Sequence, residues 1–137
     1  MRVLKRSGNY EEVSFDKILN RIKSLSDGPE FRKKLNIDET LVAQKVVQEI
    51  FDGVETCVLD ELSSEIAMSM YSTHPDFKEL AGRIAISNLH KNTLNNFSDK
   101  IDLMYNYEID GENKSLISDY FYKITIENKD KINSVFD

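Results

Sequence analysis

The 137-residue chain contains a single cysteine, Cys57, so an internal disulfide and a cysteine-rich zinc site are both excluded. Cys57, beside Thr56, reads as a small buried apolar residue. Histidine is nearly as scarce. His74 and His90 stand sixteen residues apart with no HExxH between them, and each reads as structural. There is no GxSxG, and the thiol has no base partner in the pattern, so nucleophilic catalysis lacks its parts. Glu11 and Glu12 are adjacent on an expected strand and point to opposite faces, which argues against paired acid and base work. The five glycines are scattered and form neither GxxxxGK[ST] nor GxGxxG, so a bound triphosphate would have to be held by side-chain charge. No run of eighteen apolar residues exists to span a membrane. The start, MRVLKRSGNY, lacks the apolar core of a secretory signal, and the expected location is cytoplasmic.

Charge of one sign is short in one place only. The net charge of −6 disfavours general nucleic-acid binding. Yet residues 1–25 hold six cations (Arg2, Lys5, Arg6, Lys17, Arg21, Lys23) against three anions (Glu11, Glu12, Asp16). A basic patch on an acidic molecule suits a small polyanion better than a duplex.

The patch sits on a readable scaffold. Ser7-Gly8-Asn9 is a run of turn formers between two short strands, with Val3 and Lys5 expected on one face and Leu4 and Arg6 on the other. Ser14 is a plausible N-cap with Lys17 at the capping-box position. Phe15, Ile18, Ile22 and Leu25 then mark a helix over about 15–26, ended by Ser26-Asp27-Gly28-Pro29. Residues 30–36 read as a helical turn or loop. Asp38 caps an expected helix at 39–51 with Leu41, Val42, Val46, Ile50 and Phe51 inward, stopped by Asp52-Gly53. Val54–Val58 reads as a third strand, which a marginal two-stranded ribbon needs. Leu59, Leu62, Ile66 and Met70 mark a helix over 59–73. His74-Pro75 breaks it, and Asp76 is the expected cap of a fourth, at 77–95, with Phe77, Leu80, Ala81, Ile84, Ala85 and Leu89 inward. The fold class is therefore mainly α with a small β cap: a four-helix bundle under a hairpin and third strand. A helical segment follows, with helix over 97–107, a turn at 109–113 and helical stretches over 116–136. Tyr105, Tyr107, Tyr120, Phe121 and Tyr122 concentrate there, and it is expected to be the looser part. Lys5, Arg6 and Lys91 would meet one polyanion if the fourth helix runs back under the hairpin.

Three stretches, VLKRSGNYEEVSFDKI, GVETCVLDEL and HPDFKELAGRIAISNLHKNTLNNFSD, resemble the amino-terminal end of the class I ribonucleotide reductase large subunit. Residues 1–93 resemble its ATP-cone, the allosteric activity domain. Residues 94–137, with FSDKIDLMYNY and ENKDKINSVFD, resemble the first helices of its catalytic part. The resemblance implies an adenine nucleotide, ATP or dATP, between hairpin and helices, with Mg²⁺ sharing the phosphate charge. The matching positions are Val3, Lys5, Arg6, Glu11, Ser14, Lys17, Thr56, Asp60 and Lys91. Lys5, Arg6 and Lys91 would meet phosphates; Glu11, with Ser14 and Lys17, would read the adenine; Thr56 and Asp60 would line the phosphate and ribose side. It further implies activation by ATP, inhibition by dATP through a change of oligomer, and as partners other large subunits and the radical-generating small subunit. No catalytic residue falls within the chain.

Three positions depart from the family pattern. Ser7 stands where Asp is frequent, Asp60 where some members have His, and Gly82 where Ala is frequent, the last costing about 1 kcal/mol of helix propensity. Besides a small enzyme of unknown type, which lacks a nucleophile and a base, two other readings remain open at this point. One is a helical protein-docking module without a ligand. The other is an ATP-cone transcriptional regulator, which would need a cysteine-rich zinc ribbon ahead of the hairpin.

Overall fold

The computed structural model describes residues 1–136; Asp137, the last residue of the expected second segment, lies outside them. The chain forms two compact units, Met1–Leu89 and a second from His90 onward, each described by itself. Both are mainly helical with a little sheet.

In the first unit, β1 (Arg2–Leu4) pairs antiparallel with β2 (Tyr10–Glu12), Val3 opposite Glu11. The turn between them closes through Lys5 N to Asn9 O (2.9 Å) and Gly8 N to Lys5 O (2.9 Å), with Gly8 at φ +80°. A side chain at that φ would be strained, so glycine belongs there. Ser7 is accommodated in this turn. A two-stranded ribbon is marginal alone. Here β3 (Val54–Glu55) adds in parallel on the other edge of β1, joining Val3 to Val54, both buried.

Helix α1 (Phe15–Asp27) starts where the sequence says it should. Ser14 Oγ accepts from Lys17 N. Its end has a cause in sequence too, because Pro29 has no N–H to continue the ladder. Helix α2 (Glu39–Glu49) is capped by Asp38, whose carboxylate accepts from Thr40 N at 2.9 Å. It stops two residues earlier than expected. Ile50 is extended and buried, whereas Phe51 and Leu41, expected inside, are exposed. Gly53, at φ +87°, shapes the turn into β3, its N–H donating to Arg2 O at 2.8 Å, rather than ending α2.

The main correction lies at 54–58. Only Val54 and Glu55 are strand; Thr56 opens α3 (Thr56–Ser69), which a 3₁₀ turn (Met70–Ser72) extends. Once Val54 has paired with Val3 and Glu55 with Leu4, β1 is at its end, nothing further along it is left to bond, and the chain turns helical. Helix α4 (Asp76–Asn92) is also shorter than expected at its C-terminal end. Its first N–H donates to His74 Nδ1 (3.1 Å), so His74 does the capping expected of Asp76. The Asp76 carboxylate instead accepts from Asn36 N (2.9 Å) and Lys33 Nζ (3.0 Å).

The buried stripe of α4 is Phe77, Leu80, Ala81, Ile84 and Asn88, whereas Ala85 and Leu89, expected inward, are exposed. Packing among the helices buries Ile22, Leu35, Val42, Val46, Leu80 and Ile84 to under 2% exposure. Each such burial contributes about 1.5–3 kcal/mol.

In the second unit, α5 (Phe97–Tyr105), α6 (Asp119–Glu127) and α7 (Lys129–Phe136) pack on one another. A small hairpin, β4 (Glu108–Ile109) with β5 (Glu112–Asn113), turns at Asp110-Gly111, both at positive φ. That is the two-residue hairpin turn with the right twist. Part of the aromatic concentration is satisfied internally. Tyr105 and Tyr122 stack at 3.9 Å and donate to Asp119 and Asp102, whereas Tyr107, Tyr120 and Phe121 are exposed. No helix among the described residues is long and apolar enough to cross a membrane.

Candidate functional site

A cavity of about 170 Å³ opens between the hairpin and the helices of the first unit. Its floor is apolar, from Val3, Val13, Ile18, Ile22, Leu25, Leu59 and Ile84; its rim is Lys5, Glu11, Lys17, Arg21, Thr56, Asp60 and Ser63. The floor arises because α1 turns Ile18, Ile22 and Leu25 inward at helical spacing, under Val3 of β1. An apolar cavity of about 150 Å³ is known to accept a benzene ring, so this one has room for a flat aromatic ring system but not for a long polar chain as well.

Two carboxylates organise the rim, and each lies between two cations. Glu11 on β2 pairs with Lys5, from the end of β1, and with Lys17 on α1 at 2.7 Å. The Lys17 ammonium also donates to Glu12 O at 2.7 Å. A lysine at the capping-box position is thereby explained: its side chain ties the helix back to the hairpin instead of completing the cap. The hydrogen bond from Lys17, then that from Lys5, lowers the Glu11 pKa from its ordinary 4.5 to about 2.

Asp60, buried on α3, forms the second cluster. Arg6 lies 3.9 Å from its Oδ2 and Arg21 3.6 Å from its Oδ1. Arg6 also donates to Asn88 Oδ1 on α4 at 2.5 Å, and Arg21 to Ser87 Oγ on α4 at 2.7 Å. The strand alternation that would have sent Lys5 and Arg6 to opposite faces ends at Leu4. Arg6 lies in the turn, which lets it reach α3 and α4. Both clusters therefore take one cation from the hairpin end (Lys5, Arg6) and one from α1 (Lys17, Arg21). The α1 pair is four apart, on one face.

A second cavity, about 260 Å³, is lined by Leu4, Lys5, Arg6, Gly8, Glu55, Thr56 and Cys57. Lys5 and Thr56 line both cavities, so the two adjoin. Its wall is the first turn of α3, and no side chain caps that helix start. Helix N-termini present unpaired N–H groups and a partial positive charge. With Lys5 and Arg6 in the same lining, this is a place suited to an anion. Reading 54–58 as a strand concealed it.

Of the nine positions singled out in the sequence, Val3, Lys5, Glu11, Lys17, Thr56 and Asp60 line the first cavity, and Arg6 lines the second. Ser14 is exposed at the start of α1, its hydroxyl occupied as the N-cap. Lys91 is exposed in the last turn of α4. Arg21, Ser87 and Asn88 were not singled out as site residues. Arg21 was legible in principle as the residue four on from Lys17. Ser87 and Asn88 carried no signal, since a buried polar residue on a helix is recognised only by what it touches.

A three-stranded cap over a helical bundle, with an apolar cavity rimmed by cations between them, defines a class. Residues 1–92 match the ATP cone domain family, and the chain belongs to that family. Beyond it, 98% of the chain is 43% identical to ribonucleoside-diphosphate reductase large chain 2 of Saccharomyces cerevisiae, and 98% is 44% identical to the ribonucleoside-diphosphate reductase large subunit of Arabidopsis thaliana. The subunit of the same name from Plasmodium falciparum is 41% identical over the full chain. The chain spans 15%, 16% and 17% of the length of these relatives.

Proposed function

We propose that this chain is the adenine-nucleotide-binding regulatory module of a ribonucleoside-diphosphate reductase large subunit. The regulatory domain would be residues 1–93, with 94–137 beginning the helical catalytic region. The observation that carries the reading is the pair of adjoining cavities, one apolar and ring-sized, the other walled by Lys5, Arg6 and the start of α3. The base would occupy the first, read by Glu11 with Ser14 and Lys17 nearby, and the triphosphate would extend into the second. Thr56 and Asp60, one turn apart on α3, would flank the sugar between them. Val3 would form part of the floor, and Lys91 is proposed as a further phosphate partner on the family resemblance.

Among the described residues no three acidic, histidine or cysteine side chains cluster as a metal site. Mg²⁺ would thus arrive with the nucleotide, held by phosphate oxygens and water, as is usual for this ion. The parent enzyme would make deoxyribonucleotides for DNA replication in the cytoplasm, with ATP sustaining activity and dATP suppressing it. The two effectors differ by one hydroxyl, worth about 0.5–1.5 kcal/mol or tenfold at most in affinity. A switch therefore needs a second arrangement that one ligand favours, and a change of oligomer among large subunits and the small subunit would supply it.

Melting the chain with ATP, dATP or GTP tests the reading. Either adenine nucleotide at a hundredfold excess over Kd contributes about 2.7 kcal/mol, a shift of roughly 10–20 °C, and GTP should give far less. The ligand-free docking reading has one observation in its favour: a groove floored by exposed Phe51 and Val58 with Leu62, and edged by Glu49, Glu61 and Glu65. No shift with either adenine nucleotide would favour it.

A further inference from the structure

We propose that Arg21, on the rim of the first cavity, is a positioning residue for sugar recognition that acts by orienting the Asp60 carboxylate. The proposal rests on the nucleotide reading above. Three observations carry it. Arg21 Nε is buried without a hydrogen-bond acceptor, yet lies 3.6 Å from Asp60 Oδ1, a little beyond hydrogen-bond length. Its Nη2 is anchored on α4 through Ser87 Oγ, so a guanidinium held by α4 is the one that presents Nε to Asp60. Arg6 approaches the other carboxylate oxygen, Oδ2, from the hairpin side. One oxygen of Asp60 thus faces each guanidinium, and Arg21 is one of the groups that set how the carboxylate faces the cavity.

Asp60 lines the apolar cavity one turn on from Thr56, which lines both cavities, along the same helix face. A base in the first cavity and phosphates in the second would leave the sugar against this face. A carboxylate oxygen only accepts, so it favours a sugar hydroxyl over a hydrogen atom when correctly aimed. A buried donor within 3.6 Å of its acceptor also leaves room for the pair to close when a ligand settles on Asp60.

The test is calorimetric titration of the chain with ATP and with dATP, compared across the unaltered protein, Arg21→Lys and Ser87→Ala. Lysine restores the charge but cannot fork between Ser87 and Asp60. Arg21→Lys should therefore stay within a few-fold of the original affinity while the ratio of the ATP and dATP dissociation constants moves by about threefold or more, inside the tenfold that one hydroxyl can supply. Ser87→Ala removes only the anchor and should move the ratio the same way. Should Arg21→Lys not fold, Ser87→Ala is judged by the same ratio. A ratio unchanged in the folded variants, with both affinities falling together, would overturn the proposal and leave Arg21 as a source of charge. If the unaltered chain binds neither nucleotide, the parent reading fails first and takes this one with it.

Discussion

Replacing Arg83 should loosen the first unit more than any change at the cavity rim, and the size of the effect follows from its contacts. The Arg83 side chain is 9% exposed. Nη1 donates to Leu25 O (2.9 Å) and Ser26 O (3.1 Å), carbonyls at the end of α1, and Nη2 to Lys33 O (2.7 Å) and Glu79 Oε1 (2.5 Å). The guanidinium also lies 4.2 Å from the centre of the Phe31 ring. Leu25 O has a particular need of it: the residue four on is Pro29, which has no N–H to offer. Arg83 thus supplies from α4 the donor that the sequence of α1 withholds.

In Arg83→Met the apolar stem is kept and the donors are lost. Hydrogen bonds to a charged group contribute about 1.5–3 kcal/mol each. Lys33 O and Glu79 are exposed enough for water to replace theirs, so only the two α1 carbonyls are counted. Ser26 O still accepts from Leu35 N at 3.2 Å, which reduces its share. Adding about 0.5–1 kcal/mol for the ring contact, the loss is about 3–5 kcal/mol, a large fraction of ordinary domain stability. Urea unfolding followed by far-ultraviolet circular dichroism measures it as a lowered midpoint at unchanged slope. A loss under about 1 kcal/mol would refute the reasoning and mean that water caps α1 equally well. Because α1 carries Lys17 and Arg21, the same variant should bind nucleotide more weakly without touching the cavity.

Two further outcomes are expected. Glu11, with its pKa lowered from 4.5 to about 2, contributes stability that is complete above 4.5 and lost as pH falls toward 2. Carbon NMR of its carboxyl should titrate near the lower value, and Lys17→Met should raise the midpoint; an unmoved midpoint would discard the Lys17 bond as the leading cause. The glycines of the first unit should respond with opposite signs. Gly82 is exposed, and a methyl group there would meet no neighbouring atom, so Gly82→Ala should stabilise by about 1 kcal/mol. At Gly28 a Cβ would run into the Ser24 carbonyl, and alanine should cost about 1–3 kcal/mol; urea midpoints read both.

How far the fold was legible can be seen at single residues. Ser14 and Asp38 announced their helices because a side-chain oxygen two or three residues ahead of an unpaired N–H is a local interaction. Val54–Val58 misled because a β-branched run is compatible with strand, and its true extent depended on how much of β1 was left to pair. Leu41, Ala85 and Leu89 misled because periodicity gives a stripe but not its width, and Phe51 because α2 ends before it. At Asn88 the bundle uses a buried position of α4 for a polar contact to Arg6 rather than for packing.

The chain's local chemistry by itself determined the hairpin turn at Gly8, the four helices of the first unit and the basic character of its first twenty-five residues. These depend on φ preferences, caps and spacing within a few residues. Only the tertiary structure decided that Lys5 and Lys17 share Glu11, that Arg6 and Arg21 share Asp60, and that α3 opens beside them. Those pairings join residues as far apart as Arg6 and Asp60. They follow from where the packed elements bring side chains together, a property that no local stretch of sequence carries.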